Sequence, residues 1–98
     1  MCGIIGITSN KQVTSSIINS LRKLEYRGYD SAGIATLNKG FINEVKCEGR
    51  VEALEKNLSK NKLQGNLGIG HVRWATHGVP STVNAHPHSS ENVSIVHN

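Results

Sequence analysis

The sequence predicts a small α+β domain, and three patterns along the chain support this fold class. An apolar, β-branched run from Gly3 to Thr8 is typical of a strand. Apolar residues then recur at helical spacing between residues 10 and 24. Two further strand-like segments flank a polar turn at residues 38–40, which is the pattern of a β-hairpin.

The composition limits the size of the core and disfavours several classes of partner. The chain has 98 residues, of which 37% are hydrophobic, so it forms at most one small domain. Its 11 Lys and Arg residues give a net charge of +4, but they are scattered, which argues against a nucleic-acid partner. There is no signal-peptide pattern and no apolar run near the roughly 18 residues of a membrane span. We therefore expect a cytoplasmic protein without a membrane partner.

The first strand and the first helix are predicted in direct succession. The run from Gly3 to Thr8 is apolar on both faces of the pleat, which predicts a central strand buried on both sides. Ser9 and Gln12 form a capping-box pattern, so a helix is predicted from Asn10 to Leu24. Its apolar face would consist of Val13, Ile17, Ile18, Leu21 and Leu24.

The rest of the chain predicts a polar loop, a hairpin, a second helix and two more strands. Residues 25–31 break the helical pattern and hold both tyrosines, which favours a functional loop. In a strand candidate after the second helix, Gly68 and Gly70 permit close backbone approach. The predicted elements are strands over Ala32–Leu37 and Phe41–Cys47, a helix with Val51, Leu54 and Leu58 on its apolar face, and strands over Leu67–Val72 and Asn92–His97.

Cys2 has two interpretations. If Met1 is removed, one residue holds both a thiol and a free α-amine. An α-amine, whose ordinary pKa is about 7.7 to 8.0, can act as the base that activates a thiol. Alternatively, Cys2 is a small buried hydrophobe that opens a strand, and position alone favours this second interpretation. Cys47 is expected to pack in the core, and both cysteines are expected to be reduced thiols.

Polar residues that follow the strand at 67–72 form a candidate anion site. Arg73 offers a planar fork for a carboxylate, and Trp74, Thr76 and His77 stand beside it. The alternative, a surface Arg next to a buried Trp, is equally compatible with this segment. Asn98 could donate its amide to an oxyanion, although a turn residue at a strand end is favoured when it is taken alone.

Histidines and glycines suggest two further sites, and neither has the expected spacing. His77, His86 and His88 invite a metal interpretation, but two histidines that flank Pro87 do not have a common ligand spacing, so we predict no metal site. The glycines form no G-x-G-x-x-G motif that opens a helix, so no dinucleotide cofactor is expected.

Four segments together resemble one known family. They resemble the glutaminase domain of the glucosamine-6-phosphate synthases, also called glutamine:fructose-6-phosphate aminotransferases, which are class II glutamine amidotransferases. The resemblance runs over essentially the whole chain. The segments are Cys2-Gly3-Ile4-Ile5-Gly6, Leu24 to Gly33, Gly70 to Gly78, and Asn84-Ala85-His86-Pro87-His88.

The resemblance implies a fold and a set of site residues. The fold would be an N-terminal nucleophile (Ntn) hydrolase αββα sandwich, present here only in its N-terminal portion. Cys2 would be the nucleophile that forms a thioester with glutamine, and its α-amine would shuttle the proton. Arg27 and Gly28 would shape the surroundings of the nucleophile, and Asn98 would be the side-chain half of the oxyanion hole. The glutamine-binding residues would be Arg73, which takes the α-carboxylate, Thr76 and His77 in the pocket, and Trp74 near the ammonia route.

Some parts of the family pattern lie outside this sequence. In the family, a Gly directly after the position of Asn98 completes the oxyanion hole and a later Asp binds the substrate amino group. We therefore expect residues 1–98 to be a partial type-2 glutamine amidotransferase domain with its sugar-phosphate isomerase (SIS) domains absent, whether as a gene fragment, a decayed or split gene, or a truncated sequence. Such a chain alone should have little or no glutaminase activity.

The implied partners follow from the intact family members. Glutamine would be the substrate, and fructose-6-phosphate would accept ammonia only through the missing isomerase domains. No cofactor would be needed, and the intact parent would be a homodimer.

Three alternatives stay open: an inactive truncated relic, a non-catalytic module that needs a separately encoded remainder, and a His-rich metal-binding domain.

Overall fold

A computed structural model describes residues 1–98, and it confirms the predicted α+β class. Four strands form one antiparallel sheet in the order β1-β4-β2-β3, and two short strands pair separately. The strands are β1 (Gly3–Thr8), β2 (Ser31–Asn38), β3 (Phe41–Glu48), β4 (Leu67–Arg73), β5 (His88–Ser89) and β6 (Ser94–Ile95); the helices are α1 (Thr14–Leu24) and α2 (Val51–Lys60), and a 3-10 turn spans Glu25–Arg27. Neither helix has the length and apolarity that crossing a membrane would require.

The register of the central strand β4 brings three distant parts of the chain to one end of the sheet. Gly3 of β1 pairs with Val72, and Ser31 of β2 pairs with Arg73. The residue that precedes β1, the loop that precedes β2 and the residues that follow β4 therefore lie side by side. The candidate site is at this end.

The core lies between the sheet and the two helices. Glycines of β4 let α1 approach the sheet, since a Cβ atom at Gly70 would lie 2.6 Å from Ile17 Cγ2, and one at Gly68 would lie 2.7 Å from Ile17 Cδ1. The predicted close approach at these glycines is confirmed. The core cluster consists of Val13, Ile17, Ile18, Leu21, Ala32, Ile34, Cys47, Val51, Leu54 and Val72.

Two predictions about the first strand and helix are wrong. Strand β1 is an edge strand that pairs only with β4, and Ile4 on its outer face is 43% exposed. The helix begins at Thr14, because Gln12 Oε1 accepts a hydrogen bond from Gly65 N at 2.7 Å instead of completing a capping box. In the second case, a contact with a distant part of the chain replaced a local pattern.

The predicted hairpin is confirmed, and the predicted last strand is mostly wrong. Lys39 and Gly40 form a two-residue turn in which both φ angles are positive, at 52° and 82°. Such angles fit the type I′ turns that match the twist of paired strands. Of the predicted strand over Asn92–His97, only Ser94–Ile95 is paired, and its partner is the equally short β5.

Candidate active site at one end of the sheet

The Cys2 thiol lies against the backbone of Trp74. Trp74 N donates to Cys2 Sγ at 3.4 Å, and Cys2 Sγ lies 3.9 Å from the carbonyl oxygen of the same residue. Cys2 N donates to Asn98 Oδ1 at 2.9 Å, although 96 positions separate the two residues. Because Oδ1 is the acceptor in this contact, Nδ2 is the atom of the Asn98 amide that is left to donate. The structure thus brings Cys2, Trp74 and Asn98 together.

A cavity of about 520 Å³ opens beside this thiol. The predicted site residues that line it are Cys2, Arg73, Trp74, Thr76, His77 and Asn98. A larger groove of about 840 Å³ between β3 and residues 57–64 holds no thiol, imidazole or guanidinium, so it offers no comparable chemistry. The cavity beside Cys2 is therefore the candidate site.

Of the two cysteines, only Cys2 is placed to react. Both thiols are free, but Cys47 lies in the hydrophobic core and is 7% exposed. Burial also raises the pKa of the Cys47 thiol, which keeps it protonated and unreactive. The expectation that Cys47 packs in the core is confirmed.

Gly28 supports the peptide that contacts the thiol, whereas Arg27 does not reach the cavity. A Cβ atom at Gly28 would lie 2.4 Å from Arg73 C and 2.6 Å from Trp74 N, so only glycine fits under the Arg73–Trp74 peptide. The Arg27 guanidinium lies over the ring of Tyr26, 5.4 Å from its centroid. Among the predicted site residues that carry a side chain, Arg27 alone does not line the cavity.

Arg73 is buried and holds the loop that follows it. Its side chain donates from Nη1 to Val79 O at 3.2 Å and from Nη2 to Gly78 O at 3.3 Å and to His77 O. Arg73 is 7% exposed, whereas Trp74 is 47% exposed. The alternative of a surface Arg beside a buried Trp is therefore wrong.

Asp30 is a site residue that the sequence analysis missed. Its Oδ1 lies 3.8 Å from Arg73 Nη1, and its Oδ2 accepts a hydrogen bond from Ala75 N at 2.5 Å. Its carboxylate therefore compensates the positive charge of the buried Arg73 guanidinium and holds the start of the loop that follows β4. Asp30 lies in the polar segment at 25–31 and in the resembling segment from Leu24 to Gly33, but neither gave it a role, since the pairing of β2 with β4 is what brings it to Arg73.

A lysine on the far edge strand positions the segment that carries His86. Lys46 Nζ of β3 donates to Ala85 O at 2.9 Å and to Pro87 O at 3.2 Å. The segment also lies directly on β2, where a Cβ atom at Gly33 would come within 1.9 Å of His86 O. His86 is held in this way against the sheet, at the edge of the cavity.

Four imidazole rings form a cluster beside the cavity, which we call the histidine cluster: His71, His86, His88 and His97. The ring of His86 stacks on His71 at 4.2 Å between centroids and lies 4.4 Å from each of the other two. No group of three or more His, Cys, Asp or Glu side chains is arranged to hold a metal ion. Burial, followed by the charges of its histidine neighbours, lowers the pKa of His86 to about 3.

The histidine cluster predicts that the domain loses stability as the pH falls. In the folded protein the pKa of His86 is about 3, whereas in the unfolded chain it has its ordinary value of 6.5. The free energy of unfolding should therefore fall as the pH drops below 6.5, by up to about 1.4 kcal/mol per pH unit from this group. Urea unfolding at about pH 7 and at about pH 5 measures the slope.

A pair of variants isolates the contribution of His86. In His86→Phe the slope should be smaller than in the wild type, while His77→Phe, which removes an exposed imidazole outside the cluster, should keep it. Equal slopes in the wild type and in His86→Phe would contradict the prediction.

The chain matches curated proteins over its full length, although no family model matches it. It is 57% identical over 100 residues to the glutamine–fructose-6-phosphate aminotransferase [isomerizing] of Clostridium acetobutylicum, 58% over 98 residues to that of Bartonella henselae, and 54% over 98 residues to that of Mesorhizobium japonicum. Each match covers 100% of this chain and 16% of the relative. The predicted resemblance to the glucosamine-6-phosphate synthases is confirmed.

A solved structure supports the fold that the resemblance to these synthases implied. The chain is similar to glutamine phosphoribosylpyrophosphate amidotransferase from B. subtilis, with a TM-score of 0.77 and 27% identity. The similarity covers 96% of this chain and 20% of that chain. The chain thus has the incomplete Ntn amidotransferase fold that the synthase resemblance implied: one four-stranded sheet with its helices, in place of the full αββα sandwich.

Proposed function

We propose that this chain carries the nucleophile part of a glutaminase site, at which Cys2 releases ammonia from the side chain of glutamine. The observation that supports this most directly is the convergence of the Cys2 thiol, the Asn98 amide and the Arg73 guanidinium on one cavity. This is the set that acyl transfer requires: a nucleophile, a donor for an oxyanion and a cation for the substrate.

The reaction follows from these atoms. Once Met1 is removed, the α-amine of Cys2 takes the thiol proton, and the thiolate attacks the amide carbon of the glutamine side chain. The Asn98 Nδ2 donates to the oxyanion of the tetrahedral intermediate. The amine returns its proton to the leaving nitrogen, ammonia departs and a thioester remains. Water then cleaves the thioester, which yields glutamate and restores the thiol.

The other predicted residues bind and orient the substrate in this proposal. Arg73 takes the α-carboxylate of glutamine with the N–H donors that the loop does not use. Thr76 and His77, both exposed on the cavity wall, contact the rest of the amino acid. Trp74 lines the way out for ammonia, and Gly28, with Arg27 beside it, supports the surroundings of the nucleophile.

The wider activity is proposed from the relatives. Because the chain spans about a sixth of their length, we propose that residues 1–98 are part of a type-2 glutamine amidotransferase domain. Ammonia would pass to fructose-6-phosphate on sugar-phosphate isomerase (SIS) domains, in a cytoplasmic homodimer. The competing proposal is a non-catalytic module or relic. Co-expression with the remaining part of such an aminotransferase separates the two, since only the first predicts restored glutaminase activity.

Covalent labelling tests the proposed site directly. A glutamine analogue with a diazoketone in place of the carboxamide should add once to the chain, at Cys2, as measured by intact mass and peptide mapping. Excess L-glutamine should slow the labelling, because it competes for the same cavity. Cys2→Ala should show no adduct, while the matched Cys47→Ala should label like the wild type. Labelling that glutamine does not slow, or that occurs equally at both thiols, would refute the proposal.

A further inference from the structure

We infer that His71 is a positioning residue of the proposed glutaminase site: its Nε2–H, donated to the carbonyl of His97, holds the Asn98 amide beside Cys2. This inference rests on the proposed function for its catalytic consequence. The contact itself is a feature of the fold, because His71 Nε2 lies 2.8 Å from His97 O and His71 is fully buried on the central strand β4.

The segment that carries Asn98 has few other restraints. It follows β6, which ends at Ile95, and no backbone–backbone hydrogen bond outside the helices and strands involves residues 96–98. Two hydrogen bonds to the body of the domain restrain it: His71 to His97 O, and Cys2 N to Asn98 Oδ1. The first is anchored on the central strand, whereas the second involves the nucleophile itself. His71 is therefore the fixed point from which Asn98 is placed.

The chemistry of the imidazole fixes the direction of this hydrogen bond. A carbonyl oxygen can only accept, so His71 Nε2 carries the proton. Its Nδ1 is then a bare acceptor, buried without a partner. Burial lowers the pKa of His71, which keeps the ring neutral and the Nε2–H in place near neutral pH.

The unpaired Nδ1 is itself an argument for a role of the ring. A buried polar atom without a partner destabilises a fold, and an apolar side chain of similar size at this position would avoid that cost. The histidine therefore contributes something that an apolar residue cannot supply, and its one hydrogen bond is the donation to the residue before Asn98.

Two substitutions at residue 71 separate the donor from the ring. His71→Phe keeps an aromatic ring against His86 and removes the donor, whereas His71→Gln keeps an N–H donor near the position of Nε2. We expect His71→Phe to slow labelling of Cys2 by the glutamine analogue roughly three- to tenfold, the value of one neutral hydrogen bond. His71→Gln should recover most of the wild-type rate. If the Phe variant does not fold, His71→Asn, whose amide is too short to reach, replaces it in the comparison.

A double variant tests whether His71 acts through Asn98. Asn98→Ala should slow the labelling by itself, and adding His71→Phe to it should slow it no further, because the residue that His71 positions is already gone. A merely structural role of His71 predicts that the two losses multiply. Multiplied losses, or equal losses in His71→Phe and His71→Gln, would overturn the inference.

An NMR measurement keeps this inference separate from the proposed function. Nitrogen-15 shifts should show His71 protonated at Nε2 and bare at Nδ1. In the chain that keeps Met1, the Cys2 backbone amide donates to Asn98 Oδ1 and should show slow hydrogen exchange. In His71→Phe the Cys2 amide should exchange like that of an unstructured chain, and in His71→Gln it should stay protected. If labelling fails but this pattern holds, the glutaminase proposal falls and the positioning contact stands. A Cys2 amide whose exchange does not depend on residue 71 would refute the positioning contact.

Discussion

A chain that keeps Met1 should react with the glutamine analogue about 10²- to 10⁴-fold more slowly than one that begins at Cys2, the range that a positioned general base contributes. With Met1 present, the nitrogen of Cys2 is a peptide amide, which donates to Asn98 Oδ1 at 2.9 Å but cannot accept a proton. With Met1 removed, the same nitrogen is an amine, which can accept a proton from the thiol of its own residue. Under the proposed mechanism, removal of Met1 therefore creates the base.

The two forms can be prepared from one gene, with and without co-expressed methionine aminopeptidase, and distinguished by intact mass. Their labelling rates are then compared at the same pH, with the far-UV circular dichroism spectrum as a check that the folds agree. Reaction of the unfolded chains with iodoacetamide is the control, since both thiols should then be equally accessible in both forms. Equal rates in the folded forms would show that the α-amine is not the base.

Gly28→Ala should disable the site and weaken the fold. The added methyl group would lie 2.4 Å from Arg73 C and 2.5 Å from Arg73 O, and backbone atoms cannot move aside as a flexible side chain can. The end of β4 must therefore shift, which takes Trp74 N away from the thiol it contacts at 3.4 Å. We expect the free energy of unfolding to fall by about 1–3 kcal/mol, as in other overpacked sites. Labelling of Cys2 should fall by more than about tenfold.

Gly6→Ala is the matched control for this variant. Gly6 also lies on the sheet, but its added methyl group would meet nothing closer than Ile69 Cγ2 at 3.8 Å, an ordinary contact. Its stability should stay within about 0.5 kcal/mol of the wild type, with unchanged labelling. Urea unfolding and intact mass measure both quantities. A Gly28→Ala variant as stable and as reactive as Gly6→Ala would show that the Arg73–Trp74 peptide does not depend on this glycine.

The features that the sequence predicted correctly are local ones. The spacing of Ile17 and Leu21 gave the apolar face of α1, and the turn at Lys39 and Gly40 gave the hairpin, because each pattern is satisfied within a few residues. The motif around Arg73 identified the cavity for a different reason: it was recognised as a resemblance. Nothing in its own spacing distinguished a buried Arg from an exposed one.

The features that the sequence did not predict depend on contacts between distant segments. Strand β1 was expected in the centre of the sheet because its residues are apolar on both faces, yet strand order depends on which partner each strand finds. The Gln12 side chain accepts a hydrogen bond from Gly65 N and does not cap the helix that follows it. The histidine cluster could not be predicted either, since its members come from β4, from the segment around His86 and from the last residues of the chain.

Strand β1 lies at the edge of the sheet, so the Cys2 thiol that precedes it can leave its position while the rest of the domain stays folded. Strand β4, which carries Arg73, is hydrogen-bonded on both sides, whereas the strand that follows Cys2 is hydrogen-bonded on one side only. Edge strands open by local fluctuations that cost less free energy than global unfolding, and amide hydrogen exchange should be faster in β1 than in β4. Each such opening would carry the thiol away from Trp74 while the core stays folded. The reactivity of Cys2 should therefore depend on the local stability of this six-residue strand as well as on the global stability of the domain.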